Sequence, residues 1–247
     1  MTLEVIALHG FSQTGRSWLT PGRALAALVP ELVLHTPDMP GHGSQSAEPL
    51  DLNAAADHLA ETMPYGIWIG YSMGGRHLLH LAIRHPERCS GLVLMSTTAG
   101  IDDDRERAER RASDERTADR ILEIGVAAFV EEWTAQPMFA GRLHDDDERA
   151  SRLTNTADGL AGSLRLAGTG TQIPLWSDLE RLDMPTLVIA GSDDHKFTAL
   201  GERLATSLPN ADLHVVRGAG HAVHLERPNE VAAEIARWIT QRVQAQR

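Results

Sequence analysis

A chain of 247 residues suits one α/β domain with an insertion, and 42% hydrophobic residues can fill a large core. Its formal net charge of −11 argues against a general nucleic-acid surface, and an anionic ligand would need a local cluster of positive charge. No apolar run reaches the ~18 residues of a membrane span, no N-terminal stretch has the pattern of a signal peptide, and a single cysteine, Cys89, excludes an internal disulfide, so the expected location is the cytosol.

Taken in order, Val5 to Leu8 reads as a short buried strand ending at His9-Gly10-Phe11. Arg16 to Val29 has a helical pattern, with Leu19, Leu25 and Leu28 expected on its apolar face. Leu32 to Leu34 is a second strand, followed by a dense turn signal from Pro37 to Ser44. Asp51 to Met63 reads as an amphipathic helix capped by Asp51. A strand from Gly66 to Ile69 leads into Gly70-Tyr71-Ser72-Met73-Gly74 and then a helix from Arg76 to Ile83. The next strand is Gly91 to Met95, with Cys89 as a packed thiol just before it. Strands alternating with helices predict a parallel sheet with right-handed crossovers.

That rhythm breaks at Thr97. Up to about Gln172 there is no strand signal, only charged helix-forming stretches and one apolar face made of Ile121, Ile124, Val126, Phe129, Val130 and Trp133. This reads as a helical lid over 97–172, inserted into an α/β core formed by 1–96 and 173–247. The core resumes with a strand from Pro185 to Ala190, a helix from Thr198 to Leu208, a strand from Leu213 to Val216 and a closing helix from Asn229 to Val243.

The chemistry sits at strand ends. Strand, Gly-x-Ser-x-Gly, helix is the context of a nucleophile elbow, which makes Ser72 the candidate nucleophile. A serine needs a base, and the base needs an orienting carboxylate. Asp193 and Asp194 follow one later strand and His221 follows the last, which gives the chain order Ser, Asp, His. The backbone N–H of Met73 and that of Phe11 are the expected oxyanion donors. No pair of histidines matches the zinc motif His-Glu-x-x-His, so no metal is expected.

These features resemble the α/β-hydrolase superfamily over the whole chain. Gly-Tyr-Ser-Met-Gly-Gly-Arg at 70–76, Ser-Thr-Thr-Ala-Gly-Ile at 96–101, Arg-Arg-Ala-Ser-Asp at 110–114, Trp-Thr-Ala-Gln-Pro-Met-Phe-Ala at 133–140 and Asp-His-Lys-Phe at 194–197 narrow the resemblance. They are similar to the 2-succinyl-6-hydroxy-2,4-cyclohexadiene-1-carboxylate synthases of menaquinone biosynthesis. That resemblance implies a mostly parallel twisted sheet with helices on both faces, and elimination of pyruvate from a tricarboxylate without a cofactor. It favours Asp194 over Asp193 as the acid. It also implies carboxylate-binding roles for Arg76, Arg110 and Arg152, and pocket positions for Tyr71, Trp133 and Lys196. The expected partner is a small anionic carboxylate; nucleic acid and membrane insertion are not expected, and oligomeric state is not readable. Two other readings stay open: a carboxylic-ester or C–C bond hydrolase using Ser72 as a true nucleophile, and a hydrolase-fold ligand receptor.

Overall fold

The computed structural model describes residues 2–139 and 146–243. Six strands, β1 (Leu3–Leu8), β2 (Leu32–His35), β3 (Gly66–Tyr71), β4 (Cys89–Met95), β5 (Thr186–Gly191) and β6 (Ala211–Val216), form one sheet in the order β2-β1-β3-β4-β5-β6. Every neighbouring pair is parallel. All six residues of β3 and of β5 are buried, as a parallel sheet covered on both faces requires.

Side chains alternate between two apolar layers. Val5, Ile67, Ile69, Val93 and Ile189 face α1 (Leu19–Leu28) and α8 (Pro228–Trp238). Ile6, Leu8, Trp68, Leu92 and Val188 face α2 (Leu52–Thr62), α3 (Met73–Arg84) and α7 (His195–Ser207). The chain runs outward from β1 to β2, then crosses back to β3 on the other side of β1. The strand order therefore reverses between β1 and β3, and their carboxyl ends flank a crevice suited to a ligand.

The expected apolar face of α1 needs correction. Leu19 and Leu28 are 46% and 52% exposed, and only Leu25 of the three points inward. The buried row is Trp18, Pro21, Gly22, Leu25 and Val29, at helical spacing. Gly22 belongs to it because a Cβ there would lie 2.3 Å from Leu34 Cδ2 on β2. As expected, Asp51 caps α2, accepting the N–H groups of Asn53 and Ala54. The helix after β5 starts at His195, three residues before the predicted Thr198.

Between β4 and β5 the described residues form α4 (Asp104–Thr134), α5 (Asp146–Arg152), α6 (Ala157–Ala167) and short turns, with no strand. Ala140 of the 133–140 motif lies outside the described residues. Ala118, Ile121 and Phe129 of α4 pack on Leu160, Ala161 and Leu164 of α6. α4 breaks at Gly125, whose φ of 75° and ψ of 167° fall in a region open essentially to glycine alone. Nothing lies within 4 Å of a Cβ built there, so backbone conformation, not space, calls for the glycine.

Candidate active site

Ser72 stands between β3 and α3 with φ 51° and ψ −108°, a strained conformation for a residue with a side chain. Its N–H donates to the Met95 carbonyl at 2.9 Å. The flanking glycines are needed for space. A Cβ on Gly70 would lie 2.6 Å from Gly75 Cα, and one on Gly74 would lie 2.3 Å from the Leu8 carbonyl oxygen.

Three strand ends meet at this turn. His221, in the loop after β6, holds Nε2 at 3.1 Å from Ser72 Oγ and Nδ1 at 2.7 Å from Asp194 Oδ2. Asp194 also caps α7, its Oδ1 accepting the Phe197 N–H at 3.3 Å. The capping and orienting roles use different oxygens of one carboxylate. Asp193 instead accepts the Ser192 hydroxyl at 2.9 Å. His221 is only 2% exposed, with Phe197 and Tyr71 packed against its ring at 4.5 and 5.4 Å.

The two backbone groups expected to stabilise an oxyanion belong to Met73 and Phe11, which line the same cavity as Ser72. Met73 opens α3, so its N–H is among those a helix start leaves without an intrahelical acceptor. The carbonyl of the same peptide, on Ser72, accepts the Thr97 hydroxyl at 2.8 Å and the Arg76 N–H at 3.2 Å. Phe11 lies in the loop after β1. The carbonyl of its peptide, on Gly10, is bonded to His9 Nδ1 at 2.9 Å and to the Gln13 N–H at 3.2 Å.

A cavity of about 1060 Å³ opens above Ser72, and every site residue expected from the sequence lines it. The arginines differ in their partners. Arg76 is 7% exposed, and its Nη1 donates to the Ala167 carbonyl at the end of α6, 2.7 Å away. Among the described residues no carboxylate is within ion-pair distance of it. Burial, and then the charge of Arg110, lower its pKa to about 10, with Asp114 opposing; it stays cationic at neutral pH. Arg110 pairs with Asp114 at 2.8 Å. Arg152, 2% exposed, pairs with buried Glu148 at 2.8 Å and also donates to Ser12 Oγ and, at 3.4 Å, to the Phe11 carbonyl. For these two, ion pairs within α4 and α5 thus coexist with positions lining the cavity. Lys196 is exposed at the mouth, its Nζ 5.7 Å from the centre of the Phe197 ring.

Some features of the site escaped sequence reading. Aromatic residues make up only 4% of the chain, yet all four phenylalanines, Phe11, Phe129, Phe139 and Phe197, line the cavity with Tyr71 and Trp133. Their scarcity was an available signal. Gln13, Glu148 and Asn155 join the loop after β1 to α5 and the residues following it. Gln13 donates to Glu148 at 3.1 Å and Asn155 donates to the Ser12 carbonyl at 2.8 Å. Contacts spanning 135 and 143 residues leave no local pattern.

Four buried histidines lie beneath the site. His9 accepts the Met39 N–H on Nε2, so its hydrogen sits on Nδ1, and His42 accepts the Ser12 N–H on Nε2. Burial lowers the pKa of His9 and His80 to about 4 and of His77 to about 3, and puts His42 well below its usual range. Below pH ~6.5 the unfolded chain binds protons that the folded chain refuses, so stability must fall on acidification. Each such histidine contributes about 1.4 kcal/mol per pH unit until its folded pKa is reached. Urea unfolding at pH 7.5, 5.5 and 4.5 should show this decline. A stability unchanged between pH 7.5 and 5.5 would mean that these imidazoles take up protons within the fold.

Comparisons with known proteins agree with this architecture. A family model described as "Alpha/beta hydrolase family" matches residues 5–234. A Bacillus subtilis (strain 168) protein, provisionally named a 2-succinyl-6-hydroxy-2,4-cyclohexadiene-1-carboxylate synthase, is 38% identical over 251 residues, covering 96% of this chain and 90% of that protein. The synthase of that name from Escherichia coli (strain K12 / DH10B) is 33% identical over 241 residues, covering 94% and 92%. A solved structure described as MenH from S. aureus superposes with a TM-score of 0.86 at 28% identity, over 98% of this chain and 95% of that one.

Proposed function

The chain belongs to the alpha/beta hydrolase family and, within it, to the 2-succinyl-6-hydroxy-2,4-cyclohexadiene-1-carboxylate synthases, and from that premise we propose that Ser72, His221 and Asp194 act together as a base that drives elimination of pyruvate. The substrate is 2-succinyl-5-enolpyruvyl-6-hydroxy-3-cyclohexene-1-carboxylate, a menaquinone precursor with three carboxylates. The observation that carries this reading is Arg76: a buried cation lining the Ser72 cavity, with a carbonyl but no carboxylate partner among the described residues. Burying an unpaired guanidinium is costly, and a bound carboxylate offsets that cost with charge-assisted hydrogen bonds. A neutral ester offers no such compensation.

In the proposed reaction, His221 takes the Ser72 proton while Asp194 holds the imidazole in the right tautomer. Ser72 Oγ removes the ring proton beside the succinyl ketone. Negative charge moves onto the ketone oxygen, which faces the N–H groups of Phe11 and Met73. Collapse of that dienolate shifts the ring double bond and breaks the ring carbon–oxygen bond. Pyruvate leaves as its enolate, which takes up on carbon the proton now held by His221, so the triad returns to its starting state. As drawn, these steps balance without metal or cofactor, which makes the protein a carbon–oxygen lyase. We place the activity in the cytoplasm.

The covalent state of Ser72 tests this reading. Pyruvate release should match substrate consumed, and mass spectrometry of the rapidly quenched reaction should find Ser72 unmodified. An adduct on Ser72 that forms and decays at the turnover rate would overturn the elimination mechanism and favour hydrolysis.

A further inference from the structure

We infer that Thr97 is a positioning residue that aims the Met73 N–H into the cavity by holding the carbonyl end of the same peptide. The inference rests on the proposed oxyanion role of Met73. A peptide group is planar, so fixing its carbonyl oxygen fixes the direction of its N–H. The Ser72 carbonyl accepts two donors, the Arg76 N–H at 3.2 Å and the Thr97 hydroxyl at 2.8 Å. The first is the ordinary bond of a helix start and carries no special information. The second comes from another strand end and reaches across to the elbow.

The local backbone is built to deliver that hydroxyl. β4 ends at Met95, whose carbonyl accepts the Ser72 N–H. Ser96 then adopts φ 43°, a left-handed turn for a residue with a side chain. The turn brings the Thr97 side chain, 3% exposed, against α3. Gly75 makes the room: a Cβ there would sit 2.6 Å from Thr97 Cβ and 2.7 Å from Thr97 Oγ1. So strain at Ser96 and the absence of a side chain at Gly75 converge on one hydrogen bond. The bond also acts electronically. A donor on the carbonyl oxygen polarises the peptide and makes its N–H a better donor. The other peptide of the site has a matching arrangement, with His9 Nδ1 on the Gly10 carbonyl.

The test uses two variants and a reaction that does not depend on the natural substrate. Thr97→Val removes the hydroxyl and keeps the shape, and the Ser72 carbonyl keeps its Arg76 partner, so the fold should hold. Thr97→Ser keeps the hydroxyl and loses the methyl. The first readout is the rate at which a fluorophosphonate labels Ser72. There Ser72 Oγ bonds to phosphorus, fluoride leaves, the serine proton goes to His221, and charge builds on the phosphoryl oxygen beside Met73. The second is kcat and KM for pyruvate release. One neutral hydrogen bond corresponds to roughly a 3- to 10-fold change in rate. Thr97→Val should therefore lower both the labelling rate and kcat by that factor, with KM within about twofold and the melting temperature nearly unchanged. Thr97→Ser should recover most of the loss. Equal damage from both variants would assign Thr97 to packing, and full activity in Thr97→Val would show the bond to be idle; either overturns the inference. Normal labelling with lost pyruvate release in wild type would sink the synthase reading and leave the Thr97 inference to stand on the labelling rates. A wild-type protein inert to the reagent would remove the oxyanion role on which the inference depends.

Discussion

Ser72→Ala, His221→Ala and Asp194→Asn are each expected to lower kcat by about 10³–10⁶-fold, and the double variants should be little worse than the singles. The geometry gives the reason. Ser72 Oγ, His221 and Asp194 form one hydrogen-bonded line, with spacings of 3.1 and 2.7 Å. In the proposed mechanism the three act as one unit, so removing any member disables proton transfer from Ser72 and a second removal has little left to abolish. Asp194→Asn is the most discriminating of the three. Asparagine also caps helices well, so α7 should keep its start. Its amide, however, can donate to His221 Nδ1 and so favours the tautomer that cannot take a proton on Nε2. Loss of kcat with an unchanged melting temperature is the expected pair of results. Asp193→Asn serves as the control, because that carboxylate faces Ser192. Should the control be crippled and Asp194→Asn remain active, the orienting acid has been misassigned.

Arg76→Ala should reduce kcat/KM for the tricarboxylate by roughly 10- to 150-fold, since a hydrogen bond to a charged group contributes about 1.5–3 kcal/mol. Arg76→Lys should restore only part of this, because an ammonium cannot present two parallel donors to a carboxylate. The same variants should leave a neutral ester nearly unaffected. Arg76 also donates to the Ala167 carbonyl, so some loss of stability is expected from either substitution. The pairing of substrates separates the two effects. Structural damage acts on both, whereas loss of a carboxylate partner acts on the anionic one alone. Equal losses on both would reassign Arg76 to holding the end of α6.

What the sequence made legible follows from where its information is local. The elbow is a run of adjacent residues whose glycines answer to contacts with Leu8 and Gly75, so the motif between a strand and a helix makes Ser72 a candidate, and the later strand ends then decide for it. The two later strand ends offer His221 and the adjacent pair Asp193 and Asp194, between which only the family resemblance chooses. α1 was misread for an equally local reason. A periodic reading starts from leucines, but the real inward row includes Pro21 and Gly22, which hydropathy does not flag. Gly22 is inside because of what Leu34 needs, and that demand comes from another element. Arg110 and Arg152 illustrate a different limit. Their residue type announced a charge, but Asp114 and Glu148 lie four residues on and four residues back, and only the folded helices determine which of the many nearby acids each one meets.

The joint between α5 and the loop after β1 has an evolutionary consequence. Glu148 binds both Gln13 and Arg152, Arg152 reaches the Phe11 carbonyl, and Asn155 holds the Ser12 carbonyl. An insertion between two strands is easily pictured as an exchangeable module, free to drift while the machinery below stays fixed. Here the module and the machinery share hydrogen bonds, so drift on one side is felt on the other. Replacing Gln13 removes one donor from Glu148, and replacing Glu148 removes the carboxylate that pairs with the buried Arg152 guanidinium. Substitutions at these positions should therefore be accepted in company and rejected singly. A foreign segment grafted between β4 and β5 would have to bring its own loop after β1.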